Sequence, residues 1–91
     1  MQTTSAENLF MSEQKIKQDK LINIGANIRC IRKKQKVGQT QLVTRLELSG
    51  ITMTRETLVK IERGIQHIQA SQLRGLRDAL QTTYDELLEI K

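Results

Sequence analysis

Apolar residues recur at helical spacing through most of the chain. Leu21, Ile24, Ile28 and Ile31 lie three and four apart, which places them on one stripe of a helix with 3.6 residues per turn. The pattern predicts a first helix over 18–36, broken by Gly38. A second helix is predicted over 39–46, with Gly38 as its cap and Leu42, Val43 and Leu46 turned inward. Glu47 to Met53 reads as a turn punctuated by Gly50, with Leu48 and Ile51 as buried plugs. Thr54 offers a capping oxygen to a third helix over 55–63, whose Leu58 and Ile61 point one way. Gly64 falls where a left-handed cap closes that helix. Residues 65–70 read as a loop, and 71–81 as a fourth helix with Leu73, Leu76, Ala79 and Leu80 inward. Gly75 within it either weakens the helix or permits close approach of a neighbour. Thr83 and Glu86 have the spacing of a capping box and open a short last helix holding Leu87, Leu88 and Ile90.

Five helices and no strand make this an all-α chain, and 91 residues suffice for one domain with one modest core. The absence of Pro and Trp and the near absence of aromatics (Phe10 and Tyr84 alone) agree with helices packed by aliphatic side chains. Residues 1–11 read as a polar, disordered lead-in, tag-like over Ser5 to Phe10, and residues 12–91 as the folded domain.

Charge adds a functional direction. The chain carries 15 Lys and Arg against 10 Asp and Glu. Between Lys20 and Arg77 there are 12 basic and 3 acidic residues, whereas the two ends together hold 3 basic and 7 acidic ones. A basic centre between acidic ends points to a polyanionic partner. Arg29, Arg32, Lys33, Lys34 and Lys36 crowd the end of the first helix. The helix dipole favours cations there, and contact with phosphate favours them equally.

Other chemistries are poorly supplied. Cys30 is the single cysteine, so the chain cannot close a disulfide on itself or build a zinc cluster. His67 is the single histidine and has no grouped ligands in sequence. No catalytic order of Ser, His and Asp and no Gly-rich phosphate loop is present, so neither an enzyme nor a cofactor or small-molecule substrate is expected. No apolar run approaches ~18 residues, and the start lacks a signal-peptide pattern, which together suggest a cytoplasmic protein without a membrane partner. Cys30 reads as a half-buried small residue, and Tyr84 as packing between the last two helices.

The second helix, the turn and the third helix carry the functional reading. A helix enters a DNA major groove when one face is held by its neighbours and the other is free and polar. Leu58 and Ile61 are the anchors, and Arg55, Glu56 and Lys60 form the free face. Arg and Lys donate to guanine acceptors, and Glu accepts from cytosine or orients an Arg. The ordered set Ile24-Gly25-x-x-Ile28-Arg29-x-Ile31-Arg32, Gln39-x-Gln41-Leu42, Thr54-Arg55-x-Thr57-Leu58-x-Lys60-Ile61-Glu62-Arg63-Gly64 and Leu73-x-x-Leu76-x-x-Ala79-Leu80 resembles the phage-repressor and Cro-like helix-turn-helix family, also called the xenobiotic-response-element family. With Asp85 to Leu88, the resemblance spans residues 23–89.

It implies a five-helix lambda-repressor-like domain that binds double-stranded DNA and regulates transcription, by default as a repressor; because one module so small contacts only a few base pairs, a homodimer is expected, joined through the last helix or through Ile65 and Ile68. It further implies that Arg55, Glu56 and Lys60 face base edges, and that Gln39, Thr54, Thr57, Gln66 and His67 lie near phosphates. Thr54 and Thr57 have capping as their other reading. Arg32 and Glu62 occupy the family's positions for an ion pair joining the first helix to the third. Three departures stand out. The turn between Val43 and Thr54 is about five residues longer than the compact form. Val43 replaces the usual Ala. Ile65 and Ile68 replace polar residues, making the loop either partly buried or an interaction surface. The competing class is a helical protein-interaction module, antitoxin-like or adaptor, using the acidic last helix and the apolar loop.

Overall fold

A computed structural model describes residues 15–90; the lead-in over residues 1–11 lies outside them. Five helices are present: α1 (Ile24–Lys34), α2 (Gln39–Leu48), α3 (Arg55–Glu62), α4 (Ala70–Ala79) and α5 (Tyr84–Leu87). Two short strands join them, β1 (Lys15–Ile16) and β2 (Ile68–Gln69), paired antiparallel with Lys15 opposite Gln69 and Ile16 opposite Ile68. The domain is therefore mainly helical, with one minimal sheet added to the five helices. The strand pairing is non-local, so helical periodicity carries no trace of it.

One apolar cluster holds the helices together. Ile24, Ile28, Leu42, Leu46, Leu58, Ile61, Ile68, Leu76, Leu80 and Leu87 are all essentially inaccessible, with Val37, Met53 and Leu73 nearly so. Each such side chain contributes about 1.5–3 kcal/mol through burial. Val43, Ile51 and Ile31 are half-buried against the cluster.

Local hydrogen bonds fix where the helices begin. The first helix starts at Ile24, six residues later than its stripe suggests. The Asp19 carboxylate accepts from the backbone N–H of Leu21 and Ile22 (3.0 and 2.8 Å), and the Asn23 side chain caps α1 by accepting from Ala26 N–H at 2.9 Å. These side chains offer the backbone a turn in place of a helix. Leu21 is consequently exposed. Thr54 Oγ1 accepts from Thr57 N–H at 3.1 Å to open α3, and Thr83 Oγ1 accepts from Glu86 N–H at 3.1 Å to open α5. The reciprocal half of a capping box is not made at Thr83, because the Glu86 carboxylate accepts instead from the Thr82 hydroxyl.

Left-handed residues end them. Lys36, Gly50, Gly64 and Gln81 all have positive φ. In each case the next N–H reaches back five residues: Val37 to Arg32, Ile51 to Leu46, Ile65 to Lys60 and Thr82 to Arg77, at 2.9–3.1 Å. The break after α1 is thus made at Lys36, and Gly38 only caps α2. That helix continues to Leu48, which points into solvent and is not a plug; Ile51 fills that role by packing over Gly75 of α4. The loop apolar residues divide, Ile68 being buried and Ile65 exposed.

Polar clasps tie the chain ends to the core. Asn27 is buried on α1 and donates from Nδ2 to the carbonyls of Leu87 and Glu89 (2.8 and 3.0 Å), fastening the C-terminal segment. Arg77 lies over the Tyr84 ring, 4.6 Å from its centroid, and donates to Asp78 at 2.7 and 2.9 Å. The hydrogen bond to Asp78 raises the Arg77 pKa above its ordinary value.

Gly25 sets the closest approach in the fold. A Cβ there would meet the Ile61 carbonyl oxygen at 1.8 Å, so α1 crosses α3 backbone against backbone. Gly25→Ala is expected to cost about 3 kcal/mol by overpacking against atoms that cannot rotate away. The midpoint of thermal unfolding, followed by circular dichroism, should then fall by roughly 12–24 °C; an unchanged melt would contradict so close a crossing.

Candidate nucleic-acid interface

The α3 helix is held along one side only. Leu58 and Ile61 are fully buried and Glu62 nearly so, whereas Arg55, Glu56, Lys60 and Arg63 are exposed. Residues at 58, 61 and 62 share the inner face by helical spacing, and 56, 60 and 63 share the outer one. The ion pairs among the described residues, Arg32–Glu62 and Arg77–Asp78, involve none of Arg55, Glu56 and Lys60. Their charged ends are therefore free to meet a partner.

A buried ion pair fixes the helix rotation. Arg32 Nε donates to Glu62 Oε2 at 2.8 Å and Nη2 donates to Oε1 at 2.9 Å, a two-pronged contact between α1 and α3. Arg32 Nη1 donates to the Val37 carbonyl at 2.9 Å, and the Gln39 amide donates to Glu62 Oε1 at 3.1 Å. Both residues are under a tenth exposed. Charges taken out of water at such cost persist only when every arm finds a partner, and here the guanidinium fork and both carboxylate oxygens do.

The remaining residues of interest fall into two groups. Thr54 and Thr57 sit at the start of α3, where Thr54 is the cap and its hydroxyl also donates to the Thr57 hydroxyl oxygen at 3.0 Å. Gln39 opens α2, half-buried, with one amide hydrogen committed to Glu62 and the other uncommitted among the described residues. Gln66 and His67 are half-buried behind α3, away from its N-terminus in sequence and clasped by Gln18. Gln18 Nε2 donates to the carbonyls of Ile61 and Gln66 (3.2 and 3.0 Å), and its Oε1 accepts from Gly25 N–H at 2.8 Å. Its backbone N–H donates to His67 Nδ1 at 3.4 Å. His67 thus serves as an acceptor inside the molecule through Nδ1.

Local pattern does not single out Gln18 or Asn27. Gln18 stands at the start of the first predicted helix, and three of its four partners, Ile61, Gln66 and His67, lie more than 40 residues away. Asn27 has one signal, a polar residue immediately before Ile28 on the buried side of α1. Among the described residues no group of His, Cys, Asp and Glu could hold a metal, and no helix is long and apolar enough to cross a membrane. No family model matches the chain, and no curated protein or solved structure matches it significantly.

Removing one partner of the buried pair should be far worse than removing both. Glu62→Ala is expected to cost about 3–5 kcal/mol, because the Arg32 charge stays buried and unpaired. The double variant Arg32→Met with Glu62→Leu should recover most of that stability in urea unfolding. A single substitution costing under ~1 kcal/mol, the range of exposed pairs, would contradict the pair's burial.

Proposed function

We propose that this chain is a sequence-specific double-stranded DNA-binding transcriptional regulator with a lambda-repressor-like fold, acting by default as a repressor. The observation that carries the reading is the one-sided anchoring of α3, with Arg55, Glu56 and Lys60 exposed and without ion-pair partners among the described residues. A helix with its outer face so equipped fits the major groove, where Arg donates two hydrogen bonds to guanine, Lys reaches the same acceptors, and Glu accepts from cytosine. Exposed Lys and Arg around it displace counterions from phosphate, which supplies affinity and makes that affinity fall with salt. Thr54, Thr57 and Gln39 stand at helix N-termini, where backbone N–H groups and short polar side chains suit a phosphate.

One module of this size covers few base pairs, so discrimination among genomic sites calls for two copies on a near-palindromic site. Leu88 and Ile90 supply exposed apolar surface near the end of the described chain, and they are the proposed contact between copies. Binding is the whole of the mechanism: the protein occupies a promoter and obstructs its use.

Selection of bound sequences from a random duplex pool, followed by affinity measurement on the recovered site, tests the reading. Arg55→Ala should lose about 1–3 kcal/mol on the selected site and relax base choice at one position, while its binding to random duplex changes little. Equal losses on both duplexes would reject the base-reading role of Arg55. A wild-type chain that fails to bind any duplex at low salt would reject the function and leave the protein-interaction reading in its place.

A further inference from the structure

An open groove runs along the exposed side of α1. Ala26, Arg29, Cys30, Lys33 and Lys34 line it, and Glu62 of α3 completes it. Spacings of three and four put these α1 residues on a single helix face. Arg29, Lys33 and Lys34 are exposed, and none of them takes part in the ion pairs among the described residues. The single carboxylate lining the groove is already engaged through both oxygens by Arg32 and Gln39. The groove is therefore positively charged.

The helix dipole explains only part of this arrangement. Lys33 and Lys34 lie in the last turn of α1, where cations are favoured, but Arg29 lies outside that turn, where the effect has fallen away. Arg29 and Lys33 are like charges four residues apart, a spacing that disfavours an isolated helix. An anion between them removes the repulsion.

Resting on the DNA-binding reading above, we infer that this groove seats the phosphodiester backbone of the same duplex whose bases α3 reads. The surface is continuous with the proposed interface. The turn after α1 leads within a few residues to Gly38 and Gln39 at the start of α2, and Gln39 touches Glu62, which lines the groove. A backbone strand passing the start of α2 meets Lys34, Lys33 and Arg29 next. Ala26 and Cys30 are small, so nothing bulky on that face holds a phosphate away from the cations. This contact carries no sequence information; it fixes the register of α3 on the duplex.

The test uses the full chain and a random-sequence duplex. The triple variant Arg29→Gln, Lys33→Gln, Lys34→Gln is compared with wild type by the slope of log binding constant against log salt. The slope should become shallower by about 2–3, near one unit for each phosphate that is no longer neutralised, with the preference for a selected site over random duplex unchanged. Alkylation of the Cys30 thiol in the otherwise wild-type chain gives a second reading that does not depend on a variant. Saturating duplex should slow it severalfold. An unchanged slope, or an unchanged alkylation rate with duplex bound, overturns the groove assignment while the DNA-binding reading stands. A wild-type chain that binds no duplex overturns both.

Discussion

Where α1 crosses α3, Arg32 and Glu62 face each other largely buried from water, and the orientation of α3 follows from that contact. A buried carboxylate cannot rotate outward without abandoning a guanidinium that has no other counter-charge beside it. Glu62 therefore holds one side of α3 inward, and with Leu58 and Ile61 on that side the residues at 55, 56 and 60 are left facing solvent. Gly25 makes the crossing close enough for the pair to form, since any side chain there would strike the Ile61 carbonyl. Gln39 extends the same network to the start of α2, so the three helices around the candidate interface share one polar joint beside the aliphatic core.

The ends of the described chain are clasped to α1 and α3 by amide side chains. Gln18 links the N-terminal segment to the first turn of α1 and to the carbonyls of Ile61 and Gln66, and the β1–β2 pairing lies beside it. Asn27 reaches from the middle of α1 to the carbonyls of the C-terminal residues. Each clasp satisfies backbone groups that a short helix leaves unpaired at its ends. A small domain with so few aromatic side chains gains order from such bonds that its core alone would not supply.

Much of this architecture is legible along the chain, and the exceptions have physical causes. The inward faces of α2 and α3, the Thr54 cap and the left-handed Gly64 follow from periodicity and local chemistry. The apolar stripe through Leu21 suggests an earlier start for α1 than the molecule has, because the side chains of Asp19 and Asn23 compete with helical hydrogen bonding. Leu48 has the hydropathy of a core residue, yet α2 runs on for two residues beyond its expected end and carries it outward. Lys36 and Gln81 adopt a conformation that non-glycine residues rarely take, so the helix ends they make leave no mark in the sequence. The strand pairing of residues 15–16 with 68–69 and the clasp of Gln18 join positions about fifty apart, and no local pattern encodes them. Within the candidate site, the types of residue on α3 are visible in the sequence, while the commitment of Gln39 to Glu62 and of His67 to Gln18 is not.

A polar joint sets the rotation of α3, the rotation frees a row of charged side chains, and the basic surface around that row suits a duplex. The most direct test of that chain of cause is a titration of the full-length protein with a short duplex at low salt, followed residue by residue through backbone amide chemical shifts. The perturbed amides should centre on residues 55–60 and the start of α2, with Leu58 and Ile61 still protected from hydrogen exchange. Perturbations confined to the C-terminal residues, or a spectrum that the duplex leaves unchanged, would contradict a duplex-reading role for α3.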